Sequence, residues 1–218
     1  MKNKKTYYQL ILDRSGSMSV CAEETVSGVN SQVNRIRELA NRFPEQELIT
    51  SMSLFNHQLT PVWDRIHPLN LPELAFLDFR PDGNTALLDA IGKTIRHLQK
   101  TIGDEVARDE ASVVVVIFTD GFENSSTEFS HAQVASLIME LELTDKWCFS
   151  YIGATLDAVE IAIKMNIRAS NAIHFSVKES EREYERVSDS MVNYFTRKRH
   201  CRIGKNFLLR DPDEANNK

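Results

Sequence analysis

The chain has 218 residues, a length that fits one α/β domain with a sizeable core and leaves little room for a second full domain. Its composition, 42% hydrophobic and 26% charged, is typical of a globular protein and argues against a disordered or fibrous one. The formal net charge of −5 argues against a surface devoted to nucleic acid or anionic lipid.

The amino-terminal segment is positively charged, but its apolar run ends at Asp13 without a small-residue cleavage site, so we expect a strand there and no signal peptide. No stretch approaches the roughly 20 apolar residues that span a bilayer. Cys21, Cys148 and Cys201 are odd in number and widely spaced, which indicates neither a disulfide framework nor a zinc site. We therefore expect a cytoplasmic protein, with one domain over residues 1–205 and a polar tail over 206–218.

In chain order, apolar runs of strand length alternate with segments of helical period. This pattern is typical of a parallel sheet covered by helices on both faces. The first half predicts, in order, a strand at 7–12, a helix from Val26 to Pro44, a strand at 48–55, an edge segment at 61–66, and a loop to Asn84.

The second half begins with a helix that starts at Thr85 or just after it. Residues 113–119 are the most continuous apolar run and predict a central strand. Ser130 and Gln133 have the spacing of a capping box, which predicts a helix from there to about residue 143. The remaining predicted elements are a strand at 147–152, a short helix at 157–165, a strand at 172–177, and a helix at 179–199 with Tyr184, Val187, Met191 and Phe195 toward the core.

Two of the predicted strands end in an aspartate, Asp13 and Asp120. Ligands bind at the carboxyl edge of doubly wound sheets, so these side chains converge on one crevice if the two strands are neighbours. Ser15 and Ser17 follow Asp13 at alternate positions, which lets an extended loop turn both hydroxyls toward one point. Carboxylates and hydroxyls are hard oxygen ligands that suit Mg²⁺, Mn²⁺ or Ca²⁺.

These residues resemble a known family. The stretch from Asp13 to Ser17, DRSGS, matches the Asp-x-Ser-x-Ser signature of von Willebrand factor type A domains. The metal-ion-dependent adhesion site of that family is completed by a threonine in a second loop and an aspartate in a third. Thr85, in Gly-Asn-Thr, and Asp120, in Thr-Asp-Gly, occupy matching places, and the resemblance covers about residues 5–177.

The resemblance implies an α/β fold with a doubly wound, mostly parallel six-stranded sheet of order 3-2-1-4-5-6, a short antiparallel edge strand, and helices on both faces. It implies that Ser15, Ser17 and Thr85 ligate a metal ion directly or through water. It also implies that Asp13 and Asp120 often act through bound waters. A glutamate or aspartate of a partner protein would take the open position. The chain looks like stand-alone intracellular members, which are commonly bacterial.

Plainer interpretations exist for each loop. Ser17 or Ser19 could cap the first helix, and Asn84 or Thr85 could cap the helix that follows them. Asp82, Glu123 and Asn124 could reach the crevice, but solvated loop positions are favoured for them. The basic run at 197–202 is more typical of cations that complement a helix dipole than of a binding patch. The six histidines show neither HxxxH nor HExxH spacing.

We therefore predict a metal-dependent protein-binding module that is not an enzyme. One alternative is a metal-dependent hydrolase or phosphatase, since Mg²⁺ at the end of a parallel sheet also suits phosphoryl transfer. A phosphatase of the haloacid dehalogenase type would need a second aspartate where this chain has Ser15, and no P-loop motif is present. Another alternative is a structural subunit of an ATPase-associated complex.

Overall fold

The structure, a computed structural model, describes residues 5–174, 180–199 and 206–208. In these residues it contains six strands and six α-helices, joined by loops and short 3₁₀ turns. Their bounds are β1 Lys5–Asp13, α1 Ala22–Arg42, β2 Glu47–Phe55, β3 Leu59–Ile66, α2 Phe76–Phe79, α3 Leu87–Ala107, β4 Ala111–Thr119, α4 His131–Glu142, β5 Trp147–Gly153, α5 Ala158–Lys164, β6 Ala172–His174 and α6 Ser180–Arg199.

The strands form a single sheet in the order β3-β2-β1-β4-β5-β6. All neighbouring pairs are parallel except β2 and β3. This confirms the predicted fold class, including the antiparallel edge strand. Strand order reverses between β1 and β4, so the loops that follow these two strands lie side by side at the carboxyl edge of the sheet.

The two faces of the sheet carry separate cores because successive side chains of a strand point to opposite sides. In β1, Tyr8, Leu10 and Leu12 belong to the core beneath α1 and α6. Tyr7 and Ile11 belong to the core beneath α3, α4 and α5. Every residue of β4 is buried, as expected for a central strand covered on both faces.

Several helix predictions are confirmed in detail. Ser130 and Gln133 form the predicted capping box at the start of α4. The four predicted core residues of α6 are all buried: Tyr184, Val187, Met191 and Phe195. Burial of these side chains packs α6 against α1 and fixes that layer over the central strands.

Other boundaries differ from the prediction. The loop expected before Asn84 contains α2, which is only four residues long, and the next helix begins at Leu87. Residues 175–177 of the predicted last strand, and most of the predicted tail, lie outside the described residues. Phe207 and Leu208 are described, and both are buried in the core.

Strand β3, at the edge of the sheet, is irregular. Its pairing with β2 shifts register on both sides of Met52. It contains Pro61, which has no amide hydrogen to donate, and Arg65 has a left-handed backbone with φ of 52°. In the part of the chain that the structure describes, no helix is both long enough and apolar enough to cross a membrane.

Candidate metal centre

Asp13 is the last residue of β1 and is fully buried. Its Oδ1 accepts a hydrogen bond from the backbone N–H of Ser15 at 2.7 Å. Its Oδ2 accepts one from the hydroxyl of Thr119, the last residue of β4, at 2.5 Å. The neighbouring strands β1 and β4 therefore fix the carboxylate between them.

Ser15, Ser17 and Asp120 form a chain of oxygen atoms beside Asp13. The hydroxyl oxygens of Ser15 and Ser17 are 3.1 Å apart, and the Ser17 hydroxyl donates to Oδ1 of Asp120 at 2.8 Å. Ser15 is buried, whereas Ser17 is exposed and Asp120 is half-buried. One side of this group of residues is therefore buried in the protein, and the other side is open to solvent.

Thr85 completes this group of oxygen-bearing side chains. The position of Gly121 shows how close their oxygen atoms lie to one another. A Cβ atom built on Gly121 would lie 3.2 Å from Oγ1 of Thr85, 3.3 Å from Oγ of Ser17 and 3.7 Å from Oδ2 of Asp13. Oxygen atoms from the first and second loops thus surround one small volume, which the missing side chain of Gly121 in the third loop leaves open. The structure brings together all five residues that the sequence singled out.

Backbone hydrogen bonds join the first and second loops of the site. The N–H of Asp82 donates to the carbonyl of Arg14 at 2.9 Å, and the N–H of Gly16 donates to the carbonyl of Gly83 at 3.0 Å. Gly83 has φ of +75°, where a Cβ would also meet the ring of His57. Asp82 contributes through its backbone, and its side chain is exposed as expected.

The third loop is bonded to the second through residues that we expected to be solvated. Asn124 and Thr85 form a reciprocal pair: the Thr85 N–H donates to Oδ1 of Asn124 at 2.9 Å, and the Asn124 N–H donates to the Thr85 carbonyl at 3.0 Å. Glu123 accepts from the N–H of Leu88 at 2.9 Å and so satisfies the start of α3. Asn124 is exposed, as expected for a solvated loop position, and Glu123 is half-buried, but both side chains also connect two loops of the site.

Asp89 anchors the far end of the third loop. Its carboxylate accepts hydrogen bonds from the backbone N–H groups of Thr127, Glu128 and Phe129 at 2.8 to 3.0 Å. Burial raises the pKa of Asp89, but these N–H donors outweigh it and hold the pKa below its ordinary value. A buried side chain of α3 thus fixes the backbone that follows the metal loop.

The capping interpretations of the first and second loops are also wrong. Neither the 3₁₀ turn Gly16–Cys21 nor α1 has a side-chain cap at its amino end. The residue before α3 is Ala86, which cannot cap it, and Glu123 takes that role. The hydroxyls of Ser17 and Thr85 therefore face the crevice instead of the backbone of a helix.

The electrostatics of the crevice favour a cation. Burial raises the pKa of Asp13 to about 6, and the nearby charge of Asp120 adds to that rise. Burial likewise raises the pKa of Asp120. Among the described residues, neither carboxylate forms an ion pair with a basic side chain. Arg14 turns away and donates to the hydroxyl of Thr60.

The residues present fit a hard divalent ion. A carboxylate oxygen of Asp13 and the hydroxyls of Ser17 and Thr85 lie around a small volume beside Gly121, and Ser15 and Asp120 are each next to Ser17. In the described part of the chain, no group of three or more His, Cys, Asp and Glu side chains gathers, so a site for a soft metal is not indicated there. Sequence reasoning missed Gly121 and Thr119 as separate contributors, although both belong to the Thr-Asp-Gly triplet.

Two other sequence features lie away from this centre. Cys21 and Cys148 are buried, as expected. Of the basic run, residues 200–202 lie outside the described residues, and Lys198 is buried instead of exposed on the last helical turn.

No family model and no curated protein matches the chain. Solved structures do match. The chain is similar to a von Willebrand factor type A protein from Catenulispora acidiphila, with 14% identity and a TM-score of 0.57, over 86% of this chain and 42% of that one. It therefore spans less than half the length of that relative.

Two further similar structures contain a bound metal ion. The manganese-loaded TRAP protein of Plasmodium vivax is 17% identical with a TM-score of 0.57, over 84% of this chain and 72% of that one. Proximal thread matrix protein 1 of the mussel byssus, with a zinc-occupied MIDAS motif, is 12% identical with a TM-score of 0.58, over 89% and 48%. The chain has the fold of a von Willebrand factor type A domain.

Proposed function

We propose that this chain is a divalent-metal-dependent protein-binding module. The observation that carries the proposal is the gathering of Thr85, Ser17 and Asp13 oxygens around the volume beside Gly121. Ser15, Ser17 and Thr85 would ligate the ion directly or through water, and Asp13 and Asp120 would act largely through bound waters. The ion would be Mg²⁺ or Mn²⁺, with Ca²⁺ also suited to these ligands.

In this proposal the partner supplies a glutamate or aspartate carboxylate to the ion. Because Asp13 and Asp120 would act largely through bound waters, the atoms bound directly to the ion would be mostly neutral oxygens, and the ion would still attract an anionic ligand from outside. The exposed side of the site, at Ser17, lets an external carboxylate approach. The similar structures with a manganese ion or a zinc-occupied MIDAS motif support a metal at this edge of the fold.

The proposal contains no catalytic step. In the part of the chain that the structure describes, neither Asp13 nor Asp120 is hydrogen-bonded to a histidine or lysine that could carry a proton during turnover. The two buried thiols agree with a reducing compartment, and we propose a cytoplasmic, bacterial setting for the module. Turnover of a phosphate ester with Mg²⁺ that is lost on Asp13→Asn would contradict this view and favour a hydrolase.

Calorimetric titration with Mn²⁺ and Mg²⁺ tests the metal site. We expect Thr85→Ala to weaken binding at least about tenfold, which corresponds to about 1.4 kcal/mol. Thr101→Ala is the matched control, because the Thr101 hydroxyl bonds to the carbonyl of His97 within α3 and lies away from the site. Equal metal binding by the wild type and Thr85→Ala would overturn the proposed ligand set. Absence of binding by the wild type would favour a structural subunit.

Affinity capture from the native lysate, with and without EDTA, tests the partner. We expect the wild type to retain partners that EDTA releases and that Thr85→Ala does not retain. Partners that bind equally in the presence of EDTA would show that recognition does not use the metal.

A further inference from the structure

A cavity of about 280 Å³ lies on the α3 face of the sheet, between β2, β3 and α3. Gln9 of β1 and Ser51 and Ser53 of β2 form its floor, with Gln9 and Ser51 paired in register. Gln9 precedes Asp13 by four residues on the same strand, a separation of roughly 13 Å at the rise of a β-strand. The cavity is therefore distinct from the metal centre.

The polar floor stands out because its neighbours on the same face of the sheet are apolar. Tyr7 and Ile11 flank Gln9 on β1 and belong to the core beneath α3. Gln9, Ser51 and Ser53 are nonetheless 3%, 6% and 8% exposed. Buried polar groups are normally hydrogen-bonded, so each of these side chains needs a partner.

The floor groups retain hydrogen-bonding capacity within the protein. Nε2 of Gln9 donates to the carbonyl of Leu10 at 2.9 Å and to Oγ of Ser53 at 3.4 Å. Oγ of Ser51 accepts from the N–H of Arg65 at 2.9 Å. Among the described residues, nothing donates to Oε1 of Gln9, and neither serine hydroxyl donates its proton. The floor thus offers one acceptor and hydroxyl donors side by side.

The walls of the cavity are partly apolar, and they suit an apolar ring of a small molecule better than they suit water. Leu59 and Pro61 line the β3 side, and Trp63 also borders the cavity, although its side chain belongs to the core beneath α1 and α6. Thr94 lines the α3 side, is 3% exposed, and its Oγ1 has no hydrogen-bond partner among the residues that the structure describes. Apolar walls around a few convergent polar groups are the usual composition of a small-molecule pocket, and the volume is near the lower end of that class.

The mouth of the cavity is electrically balanced. Lys93 forms an ion pair with Glu128 at 2.8 Å, and Nε2 of His97 lies 3.9 Å from Oδ1 of Asp64. Because each basic group already faces a carboxylate, the mouth does not select for either sign of charge. This favours an uncharged ligand.

We propose that this cavity binds a small uncharged ring molecule that carries a cis-amide edge, with an N–H donor next to a carbonyl acceptor. The N–H faces Oε1 of Gln9, the carbonyl accepts from the hydroxyl of Ser53, and the ring lies against the apolar wall formed by β3. Nucleobases of the uracil type and cyclic dipeptides share this edge. The site adds a small-molecule ligand to the module and does not depend on the proposed metal site.

Ligand-observed saturation-transfer NMR at millimolar ligand tests the proposal with two probes, uracil and cyclo(glycyl-glycine). Binding of one probe and not the other identifies the source of the cis-amide edge. We expect 1,3-dimethyluracil to give no signal, because methylation removes both N–H donors and keeps the ring. Binding of dimethyluracil equal to that of uracil would overturn the proposal.

Two variants connect the signal to the cavity. We expect Gln9→Leu and Ser53→Ala each to weaken probe binding at least about tenfold, while thermal melting shows that both variants remain folded. Thr196→Ala is the control, because that hydroxyl bonds to the Val192 carbonyl on α6, beyond the other face of the sheet. Failure of both probes to bind the folded wild type, or equal binding to Gln9→Leu, would overturn the site.

Discussion

Gly121 matters at the scale of single residues because the volume beside it is the point toward which the oxygens of the metal centre converge. Any side chain there competes with an ion for the same volume. A Cβ atom at this position would lie 3.2 and 3.3 Å from the hydroxyl oxygens of Thr85 and Ser17, which is tighter than ordinary carbon–oxygen contacts. The residue is therefore a sensitive test of whether the crevice holds a metal.

We expect Gly121→Ala to lower Mn²⁺ affinity at least about tenfold in calorimetry, with little change in the thermal midpoint because Gly121 is only half-buried. Gly103→Ala is the matched control, since a Cβ on Gly103 meets nothing within 4 Å. That control should bind metal normally and gain about 0.5–1 kcal/mol of stability, as alanine does in a helix interior. Unchanged metal affinity in Gly121→Ala would place the ion elsewhere.

At this scale the sequence predicted which residues converge but not how they are held. Asp13 and Asp120 were found because each follows an apolar run and carboxyl ends of parallel strands share one edge. The contribution of Gly121 depends on distances to side chains of two other loops, and those distances have no signature in local sequence. The ligand roles themselves stay predictions that the metal titrations test.

At the scale of elements, the start of α3 and the third loop form one hydrogen-bonded unit. Asn124 bonds to Thr85, Glu123 to the first turn of α3, and Asp89 to three successive backbone N–H groups. The unit fixes Thr85 relative to Asp120, which belongs to a different loop. Its partners are 35 to 40 residues apart in the chain, so no short motif could have revealed it.

We expect Asp89→Ala to lower the free energy of unfolding by about 2–4 kcal/mol, because it removes a buried carboxylate that accepts three backbone hydrogen bonds. Asp104→Ala, an exposed position on the same helix, should have little effect. The pKa of Asp89 is lowered in the fold, so its contribution is complete above the unfolded value of about 3.9 and is lost as pH falls through the folded value. Urea unfolding at pH 7 and pH 3 measures this, and an equal loss at both pH values would contradict it.

The alternation of strands and helices could be predicted from the sequence because the apolar residues of each long element recur at a clear spacing. The predicted strand order came from the family resemblance, and the structure confirms it. Helix α2 was missed because four residues are too few to show a helical period. The capping box at the start of α4 could be predicted because its two residues lie on one turn at a fixed spacing.

At the scale of the whole molecule, Lys198 ties the last helix to the central strands. Its Nζ is hydrogen-bonded to the carbonyl of Lys5, the hydroxyl of Thr6 and the hydroxyl of Ser112 at 2.7 to 2.9 Å. These residues lie at the amino edge of β1 and β4, opposite the metal centre. A lysine in a terminal basic run is typically exposed, so its burial was not predictable from the run.

Burial lowers the pKa of Lys198 to about 7. Between pH 7 and about 10.4 the unfolded chain therefore holds a proton that the native chain lacks, and stability contributed at this site rises with pH. We expect the unfolding free energy of the wild type to rise relative to that of Lys198→Met between pH 7 and pH 10 in urea titrations. Lys164→Met, at an exposed position, should run parallel to the wild type. A parallel curve for Lys198→Met would show that the lysine titrates normally.

The irregular edge strand β3 affects how readily two copies of the protein can pair through their sheets in concentrated solution. A straight edge presents a row of free amides that a second copy can pair with, which is how sheets grow into fibres. Pro61 removes one donor from that row, and the register shifts and the left-handed Arg65 bend what remains. This edge therefore resists growth of the sheet from one molecule to the next.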